Sequence, residues 1–150
     1  MRHGTLTSSE ELDRLLMRDN AMRQAQPLPA VLVVDDTPSI RQLLIHTLHD
    51  RVPWEIVAVN DATAALAVLA VRPVPLVITD YHLSDMRGDV LAAAIKAASP
   101  TTKIVMITAD IAMDDTGMWP NVDRCLIKPF PLRDLLVAVS TLLSSNERTH

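Results

Sequence analysis

A parallel α/β sheet covered by helices on both faces is the fold class this sequence predicts, and three observations predict it. Short β-rich runs alternate with helical stretches from Ala30 onward. The runs at 31–34, 76–78 and 104–107 are almost continuously apolar. Three runs also end in chemically pointed residues: Val31-Leu32-Val33-Val34 in Asp35-Asp36, Leu76-Val77-Ile78-Thr79 in Asp80, and Cys125-Leu126-Ile127 in Lys128-Pro129. Alternating strands and helices imply right-handed crossovers, and strands apolar along their whole length suit a sheet buried on both sides.

Before the first strand, Ser8 with Glu11 makes a possible capping box. Leu12, Leu15, Leu16 and Met22 then recur at helical spacing up to the stop at Pro27-Leu28-Pro29. The stripe is narrow and interrupted by Asp19, which leaves three fates open: a solvated helix, docking on the domain, or pairing with a partner helix. The strands are placed at 30–34, 55–59, 75–79, 103–108 and 123–128. Thr37 can cap a helix with Pro38 in its first turn, presenting Ile40, Leu43, Leu44 and Leu48 on one face. Ala62, Ala65, Leu66 and Leu69 mark a second helix, and Val90, Leu91, Ala94, Ile95 and Ala98 a third. The last follows Pro131 with Leu132, Leu135, Leu136, Val139, Leu142 and Leu143. Between Asp110 and Asn121, Gly117 and Trp119-Pro120 stop any helix after about two turns, so this crossover is expected to be short or mobile. It carries Met113, Met118 and Trp119 among Asp110, Asp114 and Asp115, an apolar patch of the kind that marks partner sites.

Composition narrows the function. A chain of 150 residues, 49% hydrophobic with a mean hydropathy of +0.19, can bury a single core. A net charge of -4, a pI near 5.6 and no run of Lys or Arg leave no footprint for nucleic acid or an anionic membrane. Cys125 is the single cysteine and has no partner for an internal disulfide, which suits a reducing compartment. The start Met1-Arg2-His3-Gly4 lacks an apolar signal core, and the longest apolar run, Ala64 to Val71, is too short to cross a bilayer. The expected setting is the cytoplasm.

If the runs are strands of one sheet, three carboxylates and an ammonium gather at one end, where open α/β sheets bind ligands. Mg²⁺ takes oxygen ligands, keeps several waters, and is held by one or two carboxylates plus substrate phosphate. Asp36 and Asp80 suit that role, and Asp35 can accept from metal-bound water. A carboxylate not consumed as a ligand can attack phosphorus to give an aspartyl phosphate. Lys128 supplies a cation and Thr108 a hydroxyl for the phosphoryl oxygens. Each residue has an ordinary alternative. An Asp-Asp pair before a helix is often a cap and dipole partner, a lone Asp after a strand a turn former, a Lys before Pro a surface group, and a strand-end Thr a packing residue. Their joint placement at the same end of four strands is what favours a site.

The ordered set Asp35-Asp36, Asp80 with Gly88, Thr108-Ala109 and Lys128-Pro129-Phe130 resembles the receiver domain of two-component response regulators over about residues 29 to 144. The resemblance implies a flavodoxin-like five-stranded sheet of order 2-1-3-4-5. It divides the chain into an N-terminal helical extension (1–26), a receiver domain (27–144) and a tail (145–150). It implies that Asp80 is the phosphoacceptor, fed by a sensor histidine kinase or phosphotransfer protein, and that the chain is not a multi-turnover enzyme. It further implies Mg²⁺ at Asp35, Asp36, Asp80 and the His82 backbone carbonyl, Thr108 and Lys128 on the phosphoryl oxygens, and a cis Lys128–Pro129 bond. This sequence departs from the family at Cys125, where an aromatic switch residue is usual, and at Ser84, where proline is frequent. His82 and Asp110 stand at positions that tune acyl-phosphate hydrolysis in the family.

Only six residues follow Ser144, so output is expected through altered protein binding. The candidates are a downstream target or a homodimer, through 110–121, the strand 123–128 and the helix 131–143. Three other readings compete. A receiver-like interaction module could work independently of phosphorylation; the complete set Asp35, Asp36, Asp80, Thr108 and Lys128 argues against lost chemistry, while Cys125 and the short fourth crossover argue for unusual output. The chain could be the receiver part of a hybrid histidine kinase. A haloacid-dehalogenase-type enzyme would want Asp-x-Asp after the first strand, which Asp35-Asp36-Thr37 lacks.

Overall fold

The computed structural model describes residues 9–15, 17, 28–109 and 119–148. Five strands, β1 (Ala30–Val34), β2 (Glu55–Val59), β3 (Leu76–Asp80), β4 (Lys103–Thr108) and β5 (Arg124–Ile127), form one parallel sheet of order β2-β1-β3-β4-β5. Helices α1 (Pro38–Leu48), α2 (Ala62–Val71), α3 (Gly88–Ala98) and α4 (Leu132–Arg148) connect and cover it. This is the flavodoxin-like topology, and the reversal of strand order between β1 and β3 sets the ligand crevice beyond their carboxyl ends.

The sheet separates two apolar layers because successive side chains of a strand point to opposite faces. Val31 and Val33 of β1, Leu76 and Ile78 of β3, and Val105 and Ile107 of β4 pack with Leu44 and Leu48 of α1 and Leu135, Val139 and Leu142 of α4. Leu32 and Val34, Val77 and Ile104 face the other way, onto Ala62 and Ala65 of α2 and Leu91, Ala92 and Ile95 of α3. The middle strands are buried on both sides, which is why their sequences show no alternation. Full burial of a Leu or Ile contributes roughly 1.5–3 kcal/mol.

Several local expectations are corrected. Thr37 occupies the N-cap of α1 but makes no side-chain cap bond; its hydroxyl lies 3.5 Å from Asp36 Oδ1 instead. Leu43, Val90 and Leu132 fit the helical periodicity yet are 43%, 46% and 38% exposed, because each helix buries a narrower stripe than its apolar content suggests. β3 runs one residue further than expected and takes in Asp80 itself. The N-terminal stretch is helical at 9–15 with Leu12 and Leu15 exposed. Ser8, Leu16, Asp19, Met22 and Pro27, and the segment 110–118 with Asp110, Met113, Asp114, Asp115, Gly117 and Met118, lie outside the described residues. Among the described residues no helix is long and apolar enough to cross a membrane.

Gly88 opens α3 where the backbone of the β3–α3 connection folds back on itself, its N–H donating to the Tyr81 carbonyl at 2.6 Å. A Cβ there would stand 2.6 Å from the Asp80 carbonyl oxygen, 2.6 Å from Met106 Sδ and 2.8 Å from Tyr81 Cα. Two of those neighbours are backbone, so relief requires moving the strand end. Gly88→Ala is expected to destabilise the fold by about 1–3 kcal/mol in urea titration; an unchanged midpoint would show that α3 can shift without cost.

Candidate functional site

Strand register assembles the site. Val34 is level with Thr79, Asp80 with Ile107, and Thr108 with Ile127. Residues one step past β1, at the end of β3, at the end of β4 and one step past β5 therefore meet at one edge. One oxygen each of Asp35, Asp36 and Asp80 lies within 4.8 Å of the others. Lys128 Nζ donates to Asp80 Oδ1 at 3.4 Å. Thr108 is fully buried beside them, and its carbonyl accepts from Lys128 N at 2.8 Å. The Lys128–Pro129 peptide is cis.

Asp35 is the most constrained of the three. Its N–H donates to the Val59 carbonyl at 3.1 Å, its Oδ1 accepts from Thr37 N at 2.9 Å, and its carbonyl accepts from Arg41 Nη1 at 2.7 Å. The other carboxylate oxygen, Oδ2, is buried with no protein partner. Burial pushes the Asp35 carboxyl above its ordinary value of 3.8; the Thr37 amide opposes this, the Asp80 charge adds to it, Lys128 opposes it and Asp36 adds to it. Asp36 is exposed and Asp80 nearly buried, so the cluster is a half-open bowl. A buried carboxylate oxygen without a donor, on a residue grouped with two more carboxylates, fits a hard divalent cation and its waters. His82, two residues past Asp80, lies on the β3–α3 connection, where it bridges Arg87 and its ring meets Tyr81 edge-on at 4.7 Å.

The structure thus brings Asp35, Asp36, Asp80, Thr108 and Lys128 together as expected. It also adds two residues that the sequence reading did not single out. Arg41 holds the Asp35 carbonyl; a cation so near the positive end of a helix was the available signal, since the macrodipole disfavours it there. Asp85 ties the β3–α3 connection to α2, through partners 22 and 23 residues away that no local pattern reveals. Cys125 is half-buried on β5, level with Met106. Trp119 packs on Tyr81 with ring centroids 5.2 Å apart.

Comparison with known proteins places this arrangement in a family. Residues 31–140 match the response regulator receiver domain, and the chain belongs to that family. It is 36% identical over 116 residues to the response regulator protein FleR of Pseudomonas aeruginosa, covering 73% of this chain and 24% of FleR. It is 28% identical over 115 residues to the response regulator receiver protein CpdR of Brucella abortus, covering 75% of this chain and 95% of CpdR. It spans about half the length of several other curated relatives. Among solved structures, the response regulator TrrA of Thermotoga maritima, in complex with Mg²⁺ and beryllium fluoride, superposes with a TM-score of 0.69 at 28% identity, covering 76% of this chain and 98% of that one.

Three negative charges facing one ammonium leave net repulsion: a like pair ~4 Å apart is worth about 4 kcal/mol at an effective dielectric of 20. Asp80→Asn is expected to raise the melting temperature in chelator by about 3–6 °C, about 1–2 kcal/mol of relief. The sign follows from linkage. With Asp35 raised in the folded state, stability is lost as pH rises from 3.8 through the folded value. The Asn variant's advantage is therefore full above that window and fades toward pH 3.8. No rise at neutral pH would mean that Lys128 already balances the cluster.

Proposed function

We propose that this chain is a response regulator that accepts a phosphoryl group on Asp80 and signals by altered protein–protein binding. The observation that carries the proposal is the Lys128–Asp80 contact at 3.4 Å within a bowl of three carboxylates that lie within 4.8 Å of one another. Asp35, Asp36, Asp80 and the His82 backbone carbonyl would hold Mg²⁺, which when bound neutralises charge on the phosphoryl oxygens. The TrrA complex, whose ligands are Mg²⁺ and a phosphoryl mimic, supports that assignment.

The protein's own part is positioning and charge. An oxygen of Asp80 attacks phosphorus, and the new O–P bond forms as the P–N bond of a donor phosphohistidine breaks. The electron pair leaves with the imidazole nitrogen, which then takes up a proton. Lys128 shifts from the Asp80 carboxylate to the incoming phosphoryl oxygens, and the Thr108 hydroxyl, at the next strand end, donates to another. Nothing here turns over many substrates: the acceptor is part of the chain. A sensor histidine kinase or phosphotransfer protein is the donor. The readers are a downstream target or a second copy, engaged through 119–121, β5 and α4 together with the neighbouring 110–118. The boundaries 27–144 fit this reading, with residues 1–26 free to tune partner choice.

Phosphorylation adds charge and acceptor oxygens beside Asp80, and shifts the population between two arrangements of the strand ends. With Cys125 at the usual aromatic position, the Trp119 ring packed on Tyr81, the neighbour of Asp80, is a candidate aromatic lever.

Intact mass after incubation with Mg²⁺ and acetyl phosphate should show one added phosphoryl group on the wild type and none on Asp80→Asn. Equal labelling of both would move the acceptor elsewhere. Mg²⁺ with beryllium fluoride should change the tryptophan emission of the wild type but not of Trp119→Phe, which keeps Trp54. A change that survives in Trp119→Phe would place the moving surface near Trp54 instead.

A further inference from the structure

Asp85 lies at the surface on the β3–α3 connection, five residues past Asp80, and reaches across to another helix. Its Oδ1 accepts from Ala62 N at 3.0 Å; its Oδ2 accepts from Thr63 N at 3.0 Å and from Thr63 Oγ1 at 2.7 Å. These amides are the first two of α2, donors that the helix itself cannot satisfy and that favour a negative charge. The same turn already has a cap of its own, since the Asp61 side chain accepts from Ala64 N at 2.8 Å. The two acids divide the work: Asp61 closes the helix locally, whereas Asp85 joins it to a distant loop.

That loop is closed at its root by the Gly88 N–H on the Tyr81 carbonyl and by the pairing of His82 with Arg87. Tyr81 is fixed in turn by its N–H on the Ile107 carbonyl at 2.8 Å. Leu83 and Met86 rest on the α2–α3 core. At the tip, Asp85 is the side chain that reaches across to α2, and the three bonds hold its carboxyl below the ordinary value of 3.8, the Thr63 hydroxyl contributing most.

We infer that Asp85 is a positioning residue for the acidic site: by hooking the tip of the 81–88 connection onto the first turn of α2, it sets where the His82 carbonyl stands relative to Asp35, Asp36 and Asp80. This rests on the reading of those groups as the Mg²⁺ and phosphoryl site. The Asp85 carboxylate is engaged by Ala62 and Thr63 and is not one of the clustered acids, so its effect appears as ion affinity rather than as loss of the acceptor.

Isothermal titration of the full chain with Mg²⁺ separates this role from simple helix capping. Asp85→Ala should weaken Mg²⁺ about tenfold, the usual cost of losing an outer partner of a metal site. Asp85→Asn, which keeps one acceptor oxygen, should fall between. Labelling by acetyl phosphate should slow in Asp85→Ala at low Mg²⁺ and recover when Mg²⁺ saturates. Asp61→Ala, which removes the other cap of the same turn, should lower the melting temperature while leaving Mg²⁺ affinity at the wild-type value. Equal losses of affinity in Asp61→Ala and Asp85→Ala would assign the effect to helix stability and overturn the inference. So would a folded Asp85→Ala that binds Mg²⁺ like the wild type. A wild type that binds Mg²⁺ yet takes no phosphoryl group would sink the phosphoacceptor reading alone, with the affinity order of Asp, Asn and Ala at 85 still deciding this one.

Discussion

Mutual repulsion among Asp35, Asp36 and Asp80 is the interaction on which the rest of the strand-end architecture depends. Charges that close together must be held, and what holds them is the sheet. β1 and β3 are hydrogen-bonded neighbours buried along their whole length, so neither end can drift away to relieve the field. Asp35 is further pinned through its amide, its carbonyl and one carboxylate oxygen, by Val59, Arg41 and Thr37. The other oxygen, Oδ2, is buried without a hydrogen-bond partner. The sheet thus holds in place a cluster of like charges that would otherwise spread apart.

Tyr81 connects that local field to the rest of the molecule. Its backbone bonds to β4 on one side and to the start of α3 on the other, and its ring lies between His82 and Trp119. Gly88 permits this closeness, because a side chain there would collide with the Asp80 carbonyl and the Tyr81 backbone. A different fixed point lies beyond Trp119. Asp123 Oδ2 accepts from Lys96 Nζ at 3.0 Å and from Ile104 N at 2.8 Å, anchoring the approach to β5 on α3 and β4.

Strands were legible in the sequence to within one residue, because burial on both faces leaves uninterrupted apolar runs that turn residues end sharply. The gathering of Asp35, Asp36, Asp80, Thr108 and Lys128 at one edge was legible because a parallel sheet aligns its carboxyl ends, so that position along the chain translates directly into position in space. Contacts between elements were not. Thr37 looks like a cap by composition, yet the Asp35 side chain takes the Thr37 amide and reshapes the turn. Leu43, Val90 and Leu132 satisfy the period of an apolar face, and only the width of the sheet beneath decides that they stay exposed. Asp85 finds its donors on another helix and leaves no trace in local spacing, whereas Arg41, bonded to a backbone carbonyl before its own helix, is marked only by a cation near the helix start.

The partition of the apolar residues into two layers has an evolutionary side. Val31 and Val33 belong to one layer and Leu32 and Val34 to the other, although they are consecutive in the chain. Substitutions that share no packing partners add almost independently. The α2–α3 layer can thus drift in volume and composition without repacking the α1–α4 layer, which includes Phe130 just past Lys128. Adjacent codons of a single strand are in this sense subject to separate histories, and the edge where both layers end, at the acidic bowl, is where those histories must agree.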